Sequence, residues 1–214
     1  MAAKKTLWIG IMLLIFVGGA GCAIPVRQAV QVDMSAPVGI IEGNQFTGIR
    51  YPFKVTAPAG WKVSLEYPKF MIDLGYEKDG LEASQVFLYN PDTQSNVQID
   101  FEPADRYTRF DQASMESLTG MVTATVEAEV KEEFGTNVSV TFSPTVPISL
   151  KGVSYAAEKH ATYTAKGVKR QQGWIYAFTE PYQIFILYMV FDKAGAKDQQ
   201  ALKEILNSFA VLKK

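Results

Sequence analysis

Tyr182–Phe191 reads YQIFILYMVF, ten residues in which Gln183 is the one amide and no side chain is charged. A strand alternates its side chains between two faces, and here both alternating sets are apolar. Such a segment needs cover on both sides, which places it at the centre of a sheet. Glu180-Pro181 precedes it as a turn. Before that, Val153–Ala165 and Val168–Phe178 meet across Lys166-Gly167, a dipeptide suited to a two-residue hairpin. Strands joined this tightly run antiparallel.

Further upstream, Gln85–Asn90 and Asn96–Pro103 read as strands joined by Pro91-Asp92. In the second, Val97, Ile99 and Phe101 alternate with Gln98, Asp100 and Glu102, a half-buried pattern. Ile49–Thr56 reads as a strand that turns at Ala57-Pro58-Ala59-Gly60 and returns along Trp61–Leu65. Val138–Phe142 and Pro147–Leu150 are shorter strands, and Glu66–Ser84 is ambiguous. Two stretches change period. Met115, Leu118, Val122, Val126, Val130 and Phe134 are spaced 3, 4, 4, 4, 4, which is one stripe of a helix capped by Asp111 and stopped at Gly135. Ala201, Leu202, Ile205, Leu206 and Phe209 predict a closing helix begun near Gly195. Strands, helix, strands, helix make an α+β domain, an antiparallel sheet covered by helices.

The N-terminus follows different rules. Lys4 and Lys5 precede an uninterrupted apolar run, Leu7–Val17, and then Gly18-Gly19-Ala20-Gly21-Cys22. A basic start, a short apolar stretch and small residues compose a secretory signal. The small residues ahead of the chain's one Cys resemble the lipobox of bacterial lipoproteins, although Gly19 stands where that pattern has Leu. The resemblance implies cleavage of residues 1–21 and acylation of Cys22. It also implies, with Ala23 next in line, delivery to the outer membrane facing the periplasm. The competing reading is an uncleaved membrane anchor, since Leu7–Pro25 has no charge. Residues 22–45 then read as the lipidated Cys22 and a flexible tether, and residues 46–214 as the folded domain.

Composition excludes several classes. The 21 basic side chains against 22 acidic ones argue against a nucleic-acid binder, which needs a basic surplus. One Cys and one His exclude an internal disulfide and multi-Cys or multi-His metal centres. No phosphate loop, no cofactor motif and no nucleophile turn is present, so no catalytic, cofactor or metal residue is expected.

Three constellations remain as candidates. His160 alternates in phase with Ser154, Glu158 and Thr162 on a polar strand face. Asp100 and Glu102 share a face of their strand, with Asp105 following, and would be the carboxylates of an envelope hydrolase if they met His160. The simpler reading of each is a solvated surface, as it is for the helix run Glu127, Glu129, Lys131, Glu132 and Glu133. Around the hairpin, Lys166, Lys169, Arg170 and Trp174 suggest a binding surface for anionic lipid, peptidoglycan or an acidic partner. Lys and Arg there would equally keep a sheet edge from aggregating.

An extended segment running into Pro58-Ala59-Gly60-Trp61, a mid-chain helix, a long meander and a last helix ending Leu206-Asn207-Ser208-Phe209 together resemble the PsbP-like superfamily. That superfamily includes the DcrB-like bacterial lipoproteins. The resemblance covers about residues 46–212, and the order of elements carries most of it. It implies an α/β/α sandwich on an antiparallel sheet and an accessory or binding role. The expectation is therefore a membrane-anchored binding module for an envelope protein or small ligand. A hydrolase using His160 is the rival, and a purely structural domain that assembles with itself is a third reading.

Overall fold

The computed structural model describes residues 26–74, 86–192 and 196–212. The signal segment and Cys22 lie outside the described residues, as does most of the ambiguous stretch after Glu66; within that stretch Lys69–Asp73 forms a short helix, α1. None of the described helices is long and apolar enough to cross a membrane.

Two antiparallel sheets face each other. The smaller contains β1 (Gly39–Glu42), β2 (Gln45–Gly48), β3 (Phe53–Thr56) and β12 (Ala210–Val211), in that order. The larger runs β4 (Lys62–Ser64), β5 (Val86–Tyr89), β6 (Asn96–Pro103), β11 (Tyr182–Phe191), β10 (Val168–Thr179), β9 (Tyr155–Ala165) and β7 (Val140–Phe142), with β8 (Val146–Pro147) also on β9. The apolar strand Tyr182–Phe191 is central, as its composition demands. The β9–β10 hairpin turns at Lys166 and Gly167, both with positive φ (52° and 74°), the geometry of a two-residue turn.

One face of the large sheet packs on the small sheet and on α4 (Ala196–Ser208). Aromatic rings knit the layers: Phe53 stacks on Phe101 at 4.4 Å and lies 5.0 Å from Phe46. Ile184, Ile186 and Tyr188 of β11 are buried in this core with Ile205 of α4. The other face carries α2 (Gln112–Met121) and α3 (Thr123–Phe134), which cover Ala161, Tyr163 and Trp174 with Val126 and Val130. On that face the alternate residues of β11 are only half-buried, because α2 lies over β9 and β10.

Four expectations need correction. The predicted single helix is two, broken at Val122. The carbonyl of Thr119 accepts the Trp174 indole N–H at 2.7 Å, and Thr123 Oγ1 donates to Gly120 O at 2.8 Å. Such side-chain bonds to helix carbonyls bend a helix. The predicted caps hold: Asp111 accepts from Ser114 N–H, which keeps its carboxyl below the usual range, and Gly135 ends α3 at φ 99°. Second, β3 and β4 do not form a hairpin. The turn at Pro58–Trp61 carries the chain from the small sheet to the large one, where β4 pairs β5.

Third, the folded domain starts well before Phe46, because β1 pairs β2. Fourth, the expected tether is docked from its first described residues. Val30, Val32 and Val38 pack on the core, and Arg50 holds the segment by donating to Ala36 O (2.7 Å) and Met34 O (3.0 Å). Arg27 is clamped hardest. It pairs with Glu180 at 2.8 Å, lies 4.9 Å from the rings of both Phe110 and Phe178, and donates to the carbonyls of Asp105 and Thr108.

Candidate functional site

Pairing register decides which side chains meet. His160 sits opposite Gly173, and Gly173 opposite Tyr188, so the three share a row and a face across β9, β10 and β11. Gly173 has no side chain, and the Tyr188 ring occupies the space: a Cβ there would stand 2.0 Å from Tyr188 Cζ. The ring thereby crosses β10 and its hydroxyl donates to Glu158 Oε1 at 2.6 Å. Gln199 of α4 donates to Gln171 Oε1 at 2.6 Å, and the Gln171 amide approaches the Tyr188 oxygen at 3.5 Å. A polar line thus runs from α4 to β9. Burial, and then the negative charge of Glu158, push the Tyr188 phenol far above its ordinary value, so it stays a donor.

Above this line lies a cleft of about 400 Å³ between α4 and β9. Glu158, His160 and Tyr188 form its floor, Leu202, Lys203 and Leu206 one wall, and Pro144 and Val146 another. The main chain of His160 is fixed by Ser143, whose Oγ accepts its N–H at 3.0 Å and whose N–H donates to its carbonyl at 2.9 Å. Among the described residues, the His160 imidazole and the Lys203 ammonium have no hydrogen bond or ion pair. The cleft therefore combines an apolar wall with an available imidazole, an available cation and a carboxylate with one oxygen uncommitted. That chemistry suits reversible binding of a small polar ligand with an apolar part.

The carboxylates expected beside His160 are elsewhere. Asp100 pairs across to Phe185, Tyr176 and Ala157, a row on the opposite face of the large sheet. Two strands and the thickness of the sheet separate it from His160, so the hydrolase constellation does not assemble. Glu102 accepts instead from Gln183 on the same face. The hairpin surface expected from Lys169, Arg170 and Trp174 does not form as one patch. Trp174 is wholly buried, with its N–H on Thr119, and cannot contact a partner. Arg170 lies against the rings of Phe134 (4.4 Å) and Phe191 (5.2 Å). Lys169 stays exposed, and with Arg170 and Asp192 it borders a smaller recess of about 210 Å³. In the acidic helix run, Lys131 pairs with Glu127 at 2.6 Å on the outer side. Among the described residues no group of three or more His, Cys, Asp or Glu is placed to hold a metal ion.

Sequence reading placed Glu158 and His160 on one face, but the wall supplied by α4 is non-local and escaped it. Gly173 was the available signal. A glycine inside a strand of bulky residues marks a close approach.

The two facing sheets, the helix pair behind and the closing helix in front define a PsbP-like α+β fold. The solution structure of cyanobacterial PsbP (CyanoP) from Synechocystis sp. PCC 6803 is similar to it at a TM-score of 0.53 and 9% identity, over 82% of this chain and 99% of that one. LpqN of Mycobacterium tuberculosis, a protein involved in cell envelope biogenesis, matches at TM-score 0.48 and 12% identity, over 75% of this chain and 83% of that one. A chain from Bacteroides thetaiotaomicron VPI-5482 matches at 0.44 and 12%, over 81% and 50%. The sequence matches no protein-family profile and no curated protein.

Proposed function

We propose that the chain is an exported cell-envelope lipoprotein, anchored through acylated Cys22, whose PsbP-like domain is a non-catalytic binding module. Its ligand site is the cleft between α4 and β9. The observation that carries this reading is the cleft's polar inventory: Tyr188, Gln171 and Gln199 are committed to one another and to Glu158, while His160 and Lys203 are left for something else. The small-residue run ending in Cys22 supports the export and the anchor.

Metabolic labelling with a fatty acid tests the anchor: the full chain takes up label and the Cys22→Ser variant takes up none. Equal label in both, or none in either, rejects acylation at Cys22. For the site, small molecules retained by the purified protein are identified by mass spectrometry. Their loss from a His160→Ala/Lys203→Ala variant of unchanged stability supports the cleft, and undiminished retention rejects it.

A further inference from the structure

The Arg27 clamp sets a distance. Arg27 lies five residues along the chain from Cys22, and a fully extended chain advances about 3.3–3.6 Å per residue, so Cys22 reaches no further than about 18 Å from Arg27. Arg27 cannot be pulled away easily. Its N–H donates to Arg106 O at 3.0 Å, its carbonyl accepts from Arg106 Nε at 3.0 Å, and its guanidinium is held by Glu180 and two rings. The surface around it consists of residue types found at membrane interfaces. Tyr107 is 60% exposed with Arg106 against its ring, Arg109 is exposed, Val26 is exposed, and Tyr155 stacks outward on Phe178. The acids nearby are already engaged. Asp105 accepts from the Thr108 hydroxyl and the N–H groups of Tyr107 and Thr108, and Glu180 holds Arg27. Asp111 caps α2 through one oxygen while the other lies 3.6 Å from Arg109 Nε, a loose pair at the surface that leaves the far guanidinium nitrogens of Arg109 facing outward. The guanidinium nitrogens of Arg106 beyond Nε have no acidic partner among the described residues.

We propose that this face, built from Val26, Arg106, Tyr107, Arg109 and Tyr155, rests on the phospholipid bilayer that holds the acyl chains of Cys22. The proposal rests on the lipoprotein reading above and adds an orientation to it. Arg106 and Arg109 meet headgroup phosphates, and Tyr107 enters the interface. The ligand cleft then points away from the lipid. It lies on the opposite face of the large sheet, around Gln171, which is about 23 Å along β10 from Phe178 at a strand rise near 3.3 Å.

The test uses the full acylated chain in phosphatidylethanolamine/phosphatidylglycerol vesicles, with a nitroxide placed by Tyr107→Cys or, separately, by Glu204→Cys on the exposed side of α4. Cys22 is blocked by its own lipid, so each variant has one labelling site. Intact mass first establishes acylation. The expected result is several-fold greater relaxation by a lipid-soluble paramagnet at position 107 than at 204. Adding Arg27→Ala, which frees the strap, should reduce that ratio towards one. An acylated chain with equal, water-like relaxation at both positions overturns the docking face and leaves the lipoprotein reading standing. A mass without acyl groups overturns both.

Discussion

The Tyr188 hydroxyl reaches Glu158 at 2.6 Å by passing over the full width of β10 at Gly173. The contact exists because one residue of β10 has no side chain. Tyr188 is itself fully buried, with its ring lying against the β10 backbone where a side chain at position 173 would stand.

Gly173→Ala should therefore destabilise the domain by about 1–3 kcal/mol through overpacking. Tyr188→Phe keeps the ring and removes the hydroxyl, leaving Glu158 without its donor, at about 1 kcal/mol. Urea denaturation of the two variants checks the order. A neutral Gly173→Ala would mean that the ring does not lie on β10.

Asp198 is almost wholly buried in the first turn of α4, where it accepts from Ser95 Oγ at 2.6 Å and from Asn90 Nδ2 at 3.2 Å. Ser95 Oγ in turn accepts from the Phe191 N–H at 3.0 Å. The carboxylate thus ties α4 to the turn between β5 and β6 and to the end of β11. Asp198→Ala should cost roughly 1–3 kcal/mol by stranding buried polar partners, read as a lower denaturation midpoint. Ser95→Ala, breaking the same knot, should lose a similar amount, and the double variant less than the sum.

Ile186→Asp places a carboxylate at a wholly buried site on the central strand. No described cation lies in that apolar cluster, so the cost is several kcal/mol, of the order of a domain's total stability. Loss of the cooperative thermal transition is the expected outcome.

Alkaline stability follows from Tyr163. Its burial under α3 pushes the phenol from 10.0 up to about 12, against the partly opposing charge of Arg170. A folded-state value above the unfolded one contributes stability that is whole below about pH 10 and is lost as pH rises towards 12. For a shift of this size the loss is of the order of 2–3 kcal/mol. Melting temperature recorded against pH should fall across that window, and Tyr163→Phe should flatten part of the fall.

The two strands whose bounds agree to the residue between sequence and structure, Asn96–Pro103 and Tyr182–Phe191, have the strongest patterns: strict alternation in one, apolarity on both faces save Gln183 in the other. Propensity and periodicity are local, and they failed where a distant partner decides. The helix break at Val122 depends on Trp174, from another strand. The strap depends on Arg27 finding Glu180 and Asp105, 153 and 78 residues away. Lys169, Arg170 and Trp174 looked like one surface because they are near in sequence. Strand alternation puts Lys169 on the opposite face from Arg170 and Trp174, and helices α2 and α3 then cover the latter face. For the cleft, the phase of Glu158 and His160 was readable, but Lys203 and Gln199 enter only through the packing of α4.

The small sheet joins the two ends of the domain. Its strands β1, β2 and β3 come from the start of the folded chain, and its fourth, β12, places Ala210 against Lys54 and Val211 against Phe53, with Leu212 N–H donating to Pro52 O at 2.6 Å. Phe209, just before β12, covers Phe53 and Phe101. A chain that emerges N-terminus first therefore cannot finish this layer until β12 has emerged. Until then Phe46, Phe53 and Phe101 lack part of their cover, and the early strands have no fourth member to close them. Closing contacts so far apart in sequence carry a large loop-closure entropy and form late. The architecture makes Ala210–Leu212 a latch whose removal should be felt throughout the layer.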